Sequence, residues 1–136
     1  MIETPPEITL MVVEKSQKGQ EAFRRFFKTL GIRVLITANP ERAIARLAAV
    51  PRPAHGIVFS SLELGEQAVD AFNSMAGHPD LRLVPAILIA NPKQQPLLER
   101  VACDELRKIV LIPLTGPAVV AALTKVLDYE PPAASA

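Results

Sequence analysis

Five short apolar runs recur along the chain: ITLMVV (8–13), VLIT (34–37), IVF (57–59), AILIA (86–90) and IVLI (109–112). Almost no polar residue interrupts them, so they do not show the in-out alternation of a strand with one wet face. Strands apolar on both sides belong to the interior of a parallel sheet covered on both faces. This feature restricts the chain to an α/β architecture, because parallel neighbours must be joined by crossovers.

The segments between the runs change period from two to about 3.6. In 17–30, Phe23, Phe26, Phe27 and Leu30 stand at i, i+3, i+4 and i+7, Arg24, Arg25 and Lys28 take the other face, and Gly31 marks the stop. Asn39, Pro40 and Glu41 supply a cap, a first-turn proline and an acid at the positive end of a second helix, with Ala43, Ile44, Leu47 and Ala48 as its apolar stripe. Pro51 and Pro53 close it. A third helix turns Val69, Phe72 and Ala76 inward and breaks at GHPD (77–80). A fourth starts near Pro96 and buries Leu97, Leu98, Val101 and Ala102. A fifth follows Thr115, Gly116 and Pro117 with Val119, Val120, Leu123 and Leu127. The resulting (βα)5 pattern, with right-handed crossovers, predicts a doubly wound five-stranded parallel sheet of order 2-1-3-4-5.

At 136 residues and 49% hydrophobic content, the chain suffices for one domain with a true core. We expect that domain over 7–130, a disordered N-terminus over 1–6, and a linker or disordered tail over 131–136, where PPAASA lacks periodicity. Fifteen basic and fourteen acidic side chains leave a net charge of +1, too little field to attract nucleic acid or an anionic membrane. The lone Cys103 has no partner for a disulfide or a zinc site and is expected as a buried thiol in a reducing compartment. No apolar run approaches the length of a membrane span and the N-terminus does not read as a signal peptide, so the expected location is cytoplasmic. His55 and His78 make no metal centre by themselves, and His78 is expected in an exposed turn.

In a sheet of this order, ligands gather beyond the carboxyl ends of the strands, near the switch between strands 1 and 3. Glu14, Lys15 and Ser16 arrive there after strand 1, Ser60 to Glu63 after strand 3, Ala90 and Asn91 after strand 4, and Ile112 and Pro113 after strand 5. The stretches VVEKSQ, LITANPERAIARL, DLRLVPAILIANP and VLIPLTGPAVVAAL, in this order and spacing, resemble the receiver domain of two-component response regulators over roughly 7–129. Receivers take a phosphoryl group on an aspartate ending strand 3, beside a magnesium ion held by acids after strand 1. A hydroxyl residue ending strand 4 and a lysine ending strand 5 contact the phosphoryl oxygens.

By that resemblance the aspartate position falls on Ser61, the acidic pair on Glu14 and Lys15, the hydroxyl on Ala90, the lysine on Ile112 and the switch aromatic on Ile109. The resemblance therefore implies a degenerate receiver. A serine without an adjacent base is a poor nucleophile, and Lys15 puts a positive charge where magnesium would want a carboxylate. Pro113 matches the family's lysine-proline pair and implies a cis Ile112–Pro113 bond. The expected function is a non-phosphorylatable protein-interaction module in bacterial signal transduction, with no catalysis, cofactor or metal. Its partner, or a second copy of the chain, would dock on the face of the fourth helix, fifth strand and fifth helix, through Arg100, Asp104, Lys108, Lys125 and Tyr129.

Sharper alternatives stand beside this reading. Lys15 could replace the cation, held by Glu14 or Glu63. Ser60 and Ser61 cap strand-end backbone, or receive phosphate from another enzyme. The emptied pocket beside Ala90 and Ile112 could sense a small ligand. SQKGQE (16–21) resembles the phosphate loop of flavodoxins, which share this sheet order, although the chain has no Trp and a single Tyr to stack on a flavin.

Overall fold

The structure, a computed structural model, describes residues 7–127. The expected termini 1–6 and 131–136, and Tyr129, lie outside the described residues. Among the described residues five strands, β1 (Thr9–Val13), β2 (Arg33–Thr37), β3 (Gly56–Ser60), β4 (Ala86–Ala90) and β5 (Arg107–Leu111), form one sheet of order β2-β1-β3-β4-β5. Every pairing is parallel, as the unbroken apolar runs predict.

Alternate residues of each strand feed two apolar layers. Met11, Val13, Ile57, Phe59 and Leu88 point toward α2 (Pro40–Leu47) and α4 (Glu66–Ser74), where Ala43, Leu47, Val69 and Phe72 meet them. Leu10, Val12, Val58, Ile87 and Ile89 point toward α1 (Gln17–Thr29) and α6 (Gly116–Val126), against Phe23, Phe27, Val119 and Leu123. The caps sit where side-chain chemistry places them: Asn39 Oδ1 accepts from Arg42 N at 3.0 Å, and Thr115 Oγ1 from Ala118 N at 3.2 Å. Gly31, at φ 72°, supplies the left-handed residue after α1.

The third helix departs from expectation. It divides into a short α3 (Ser61–Leu64) and α4, hinged at Gly65 with φ 56°, and ends in a 3-10 turn at Met75–Gly77. In that tighter turn the inward residue three places after Phe72 is Met75, which is buried, and Ala76 is exposed.

The fourth helix is shorter than the sequence implies. Only Gln95–Leu98 is helical (α5), none of its residues is buried, Leu97 and Val101 are half-buried, and Ala102 is exposed. Asn73 of α4 explains the truncation. Its Nδ2 donates to Arg100 O at 2.8 Å and its Oδ1 accepts from Ala102 N at 2.9 Å. A side-chain amide thus takes the backbone groups that a further helical turn would use.

The fifth strand begins two residues earlier than expected, at Arg107. Ile112 follows it, still donating its N–H to Ala90 O at 2.9 Å. The Ile112–Pro113 bond is cis, as the resemblance implies, and Val50–Pro51 is cis as well.

Candidate functional site

The strand registers set Val13 beside Phe59, Ser60 beside Ile89 and Ala90 beside Leu111, which brings Glu14, Ser61, Ala90 and Ile112 to one rim of the sheet. Glu14 is 2% exposed. Its backbone N–H donates to Thr37 O at 3.0 Å, and its carboxylate turns under the start of α1. There Oε1 accepts from Ser16 N at 3.1 Å and from Ser16 Oγ at 3.3 Å, while Ser16 Oγ accepts from Gly19 N at 3.0 Å. Gln20 Nε2 completes the knot on Glu14 O at 2.8 Å. The positive end of α1, where the flavodoxin-like reading of SQKGQE would place a phosphate, is thus occupied by this chain's own acid.

Gly19 is what lets the carboxylate fit. A Cβ at that position would stand 2.7 Å from Ser16 Oγ and 2.8 Å from Glu14 Cδ. Alanine is the better helix former by about 1 kcal/mol, yet Gly19→Ala is expected to lower stability by about 1–3 kcal/mol, because the buried Glu14–Ser16 knot must shift. A thermal melt in which the variant is more stable than the parent would refute this account of the close approach.

Lys15 does not stand in for a cation at this rim. It is exposed and, among the described residues, pairs with neither Glu14 nor Glu63. It lines a different groove, about 710 Å³ in volume, between the start of α2 and α4, together with Asn39, Ile44, Leu64 and Asp70.

Ser60 and Ser61 are both fully buried. Among the described residues Ser60 Oγ has no hydrogen-bond partner, so only Ser61 fits the expected capping role. Ser61 Oγ lies 3.0 Å from Ile89 O and 3.1 Å from Gln94 Oε1. Gln94 Oε1 also accepts from Asn91 N at 2.9 Å, and Gln94 Nε2 donates to Ser61 O at 2.9 Å. The room expected beside Ala90 and Ile112 is therefore not simply vacant. Gln94 crosses the ends of β3 and β4 and clasps Ser61, and burial closes both serines to a modifying enzyme in this conformation. Ala90 is fully buried, Ile112 is half-buried against the α1–α6 layer, and Pro113 is exposed.

Sequence reasoning missed Gln94, although a signal was present. Asn91-Pro92 is a turn signature. Asn91 Oδ1 accepts from Lys93 N at 2.9 Å, and Gln94 N donates back to Asn91 O at 2.9 Å. A turn of this kind returns the fourth residue to the strand end.

The residues expected on the α5, β5 and α6 face separate. Arg100 reaches back to α4, its Nη1 2.7 Å from Glu66 Oε1 and its Nη2 2.7 Å from Asp70 Oδ1. Asp104 accepts from Leu106 N at 2.8 Å and pairs with Arg107 at 3.2 Å. Lys108 is half-buried on β5 and Lys125 is exposed on α6. Cys103 is exposed rather than buried, because the segment after α5 is irregular and does not turn it to the core. Partial burial still pushes its thiol pKa up, with Lys108 opposing and Asp104 adding to the shift.

No protein-family model and no curated protein matches the sequence. Solved structures do match. The signal receiver domain of a signal transduction histidine kinase from Syntrophus aciditrophicus is 18% identical with a TM-score of 0.71, over 88% of this chain and 89% of that one. The signal receiver domain of an HD domain-containing protein from Pseudomonas fluorescens Pf-5 is 11% identical with a TM-score of 0.73, over 94% and 92%. The receiver domain of a sensor histidine kinase from Pseudomonas aeruginosa PAO1, solved with a magnesium ion coordinated in its active site cleft, is 16% identical with a TM-score of 0.67, over 88% and 98%. The chain has the receiver fold. Among the described residues no helix is long and apolar enough to cross a membrane, and no three His, Cys, Asp or Glu residues gather where they could hold a metal ion.

Proposed function

We propose that this chain is a receiver-like domain that does not accept phosphate and serves as a protein-interaction module in bacterial signal transduction, without catalysis or cofactor, in the cytoplasm. The observation that carries this reading is the clasp of Gln94 on Ser61. At the position matching the phosphoacceptor stands a fully buried hydroxyl already engaged with Ile89 O and Gln94 Oε1. Among the described residues no base is hydrogen-bonded to it to take its proton. The one acid that matches the family's pair, Glu14, is committed to Ser16, and Lys15 points into another groove.

What the fold retains is surface. Partner binding, to another protein or to a second copy, is assigned to the face of α5, β5 and α6, where Lys108 and Lys125 are the cations that no intramolecular carboxylate engages among the described residues. Arg100 pairs with Glu66 and Asp70 of α4 instead. No nucleic acid or membrane partner is proposed, given the net charge of +1.

Incubation with acetyl phosphate and magnesium is expected to leave the intact mass unchanged, and beryllofluoride with magnesium to leave the amide spectrum near Ser61 unmoved. A phosphoryl adduct on any residue of this rim would overturn the proposal. Reversing Lys108 and Lys125 to glutamate together is expected to abolish partner binding, whereas the same change at Arg100 acts on the α4 contact.

A further inference from the structure

A second cavity, about 340 Å³ and lined by Glu14, opens between α1, the start of α3 and the loop before α6. Its walls are apolar: Phe23 and Phe26 from α1, Leu62 from α3, and Leu114 after the cis proline. The charged residues lining it, Glu14 and Glu63, are both acidic, and neither forms an ion pair among the described residues. The volume lies within the range of small-molecule sites, which combine apolar walls with few polar groups.

Glu14 gives the cavity its chemistry. The residue is 2% exposed, Oε1 is taken by Ser16, and Oε2 accepts no hydrogen bond from the described residues. Among the described residues Oε2 is not one of the side-chain oxygens sealed from solvent without a partner, so a cation entering the cavity can reach it. At the mouth, Leu62 is 37% exposed, an apolar residue beside the acid Glu63.

We infer that this cleft binds a small amphipathic cation: a primary amine whose ammonium reaches Glu14 Oε2 and whose apolar body lies against Phe23, Phe26 and Leu114. The aromatic faces favour the same sign of charge. A lone divalent ion suits the cleft less well, since two carboxylates on apolar walls leave most of its oxygen positions to water. This goes beyond the interaction-module reading and stands whether or not the chain accepts phosphate.

The test is an amide-resolved NMR titration of the full chain with phenethylamine, with 2-phenylethanol as the uncharged equivalent and magnesium chloride alone as the metal arm. The amine is expected to shift Phe26, Leu62 and Leu114 with a dissociation constant of about 1 mM, the scale for so small a ligand. The alcohol is expected to bind about tenfold more weakly, the weight of one charge-assisted hydrogen bond. Glu14→Gln is expected to remove that tenfold preference. Should that variant not fold, Glu63→Gln, at an exposed position, is expected to weaken the amine about threefold and leave the alcohol unchanged. No shift with amine up to about 10 mM, equal binding of amine and alcohol, or displacement of the amine by magnesium at the same residues would each overturn the assignment.

Discussion

Ser61→Asp, which sets an aspartate where the resemblance to receivers places the phosphoacceptor, is expected to destabilise the domain by about 3 kcal/mol and still to yield no phosphoprotein. The serine hydroxyl donates toward two acceptors, Ile89 O and Gln94 Oε1. An aspartate side chain offers only acceptors when ionised, so the same position would set negative oxygens against negative oxygens at a site with no exposure to water. Among the described residues no cation offsets the charge: Lys15 lies in a different groove and Ile112 is apolar. α3 is a four-residue helix whose dipole is too short to compensate. Ser61→Asn is the control, equal in size but able to donate through Nδ2, and it is expected to lose about half as much. Urea unfolding of the two variants distinguishes charge from bulk. If aspartate and asparagine prove equally stable, the clasp does not exclude a carboxylate, and the argument against phosphorylation loses its structural basis.

Arg107→Met is expected to cost about 3–4 kcal/mol, a larger loss than an ordinary surface substitution gives. Arg107 opens β5 and is 4% exposed. Its Nη2 donates to Leu81 O at 3.2 Å and to Arg82 O, and its Nη1 pairs with Asp104 at 3.2 Å. The guanidinium thereby pins the loop before β4, where Leu81 and Val84 are buried, to the first residue of the edge strand. Among the described residues Nε is buried without a partner, which lowers the net worth of the group. Methionine replaces much of the volume, so the loss should come from carbonyls left unpaired in the interior and from the freed loop. Replacing a buried ion pair by apolar residues can be neutral when both partners go. Here the carbonyls of Leu81 and Arg82 remain, and they decide the sign. Arg107→Lys keeps the charge without the planar fork and is expected to lose about half as much. A midpoint shift of about 2 M urea is anticipated for methionine. A shift under about 0.5 M would show that the carbonyls find other donors.

The elements were legible where the physics is local. Unbroken apolar runs announced buried parallel strands, and the order β2-β1-β3-β4-β5 followed from crossover handedness and length. Asn39 and Thr115 capped the helices they precede because a cap depends on a donor three residues away. Legibility failed where a distant side chain took over a segment's backbone. The residues after α5 carry an apolar pattern fit for a helix, yet Asn73 holds Arg100 and Ala102 from across a gap of more than 25 residues. Cys103 was expected as a buried thiol because a lone cysteine is usually found inside, and it is exposed. Arg107 lay outside the apolar run at 109–112, and nothing local says that its head finds carbonyls 25 and 26 residues earlier.

The candidate site divides along the same line. That Ser61, Ala90 and Ile112 fall where the resemblance to receivers places an aspartate, a hydroxyl and a lysine was a matter of alignment along the chain, open to a reader of residues alone. By itself the sequence determined an alternating α/β chain, its sheet order, and which residues, Glu14, Ser61, Ala90 and Ile112 among them, reach the strand-end rim. Only the tertiary structure decided that Gln94 would close over Ser61 from 33 positions away, that Glu14 would bury itself beneath a glycine, and that the open space would lie against Phe26. Periodicity reports which face of an element is wet, and a hydrogen bond between elements depends on where two backbones come to lie, which the packed core alone decides.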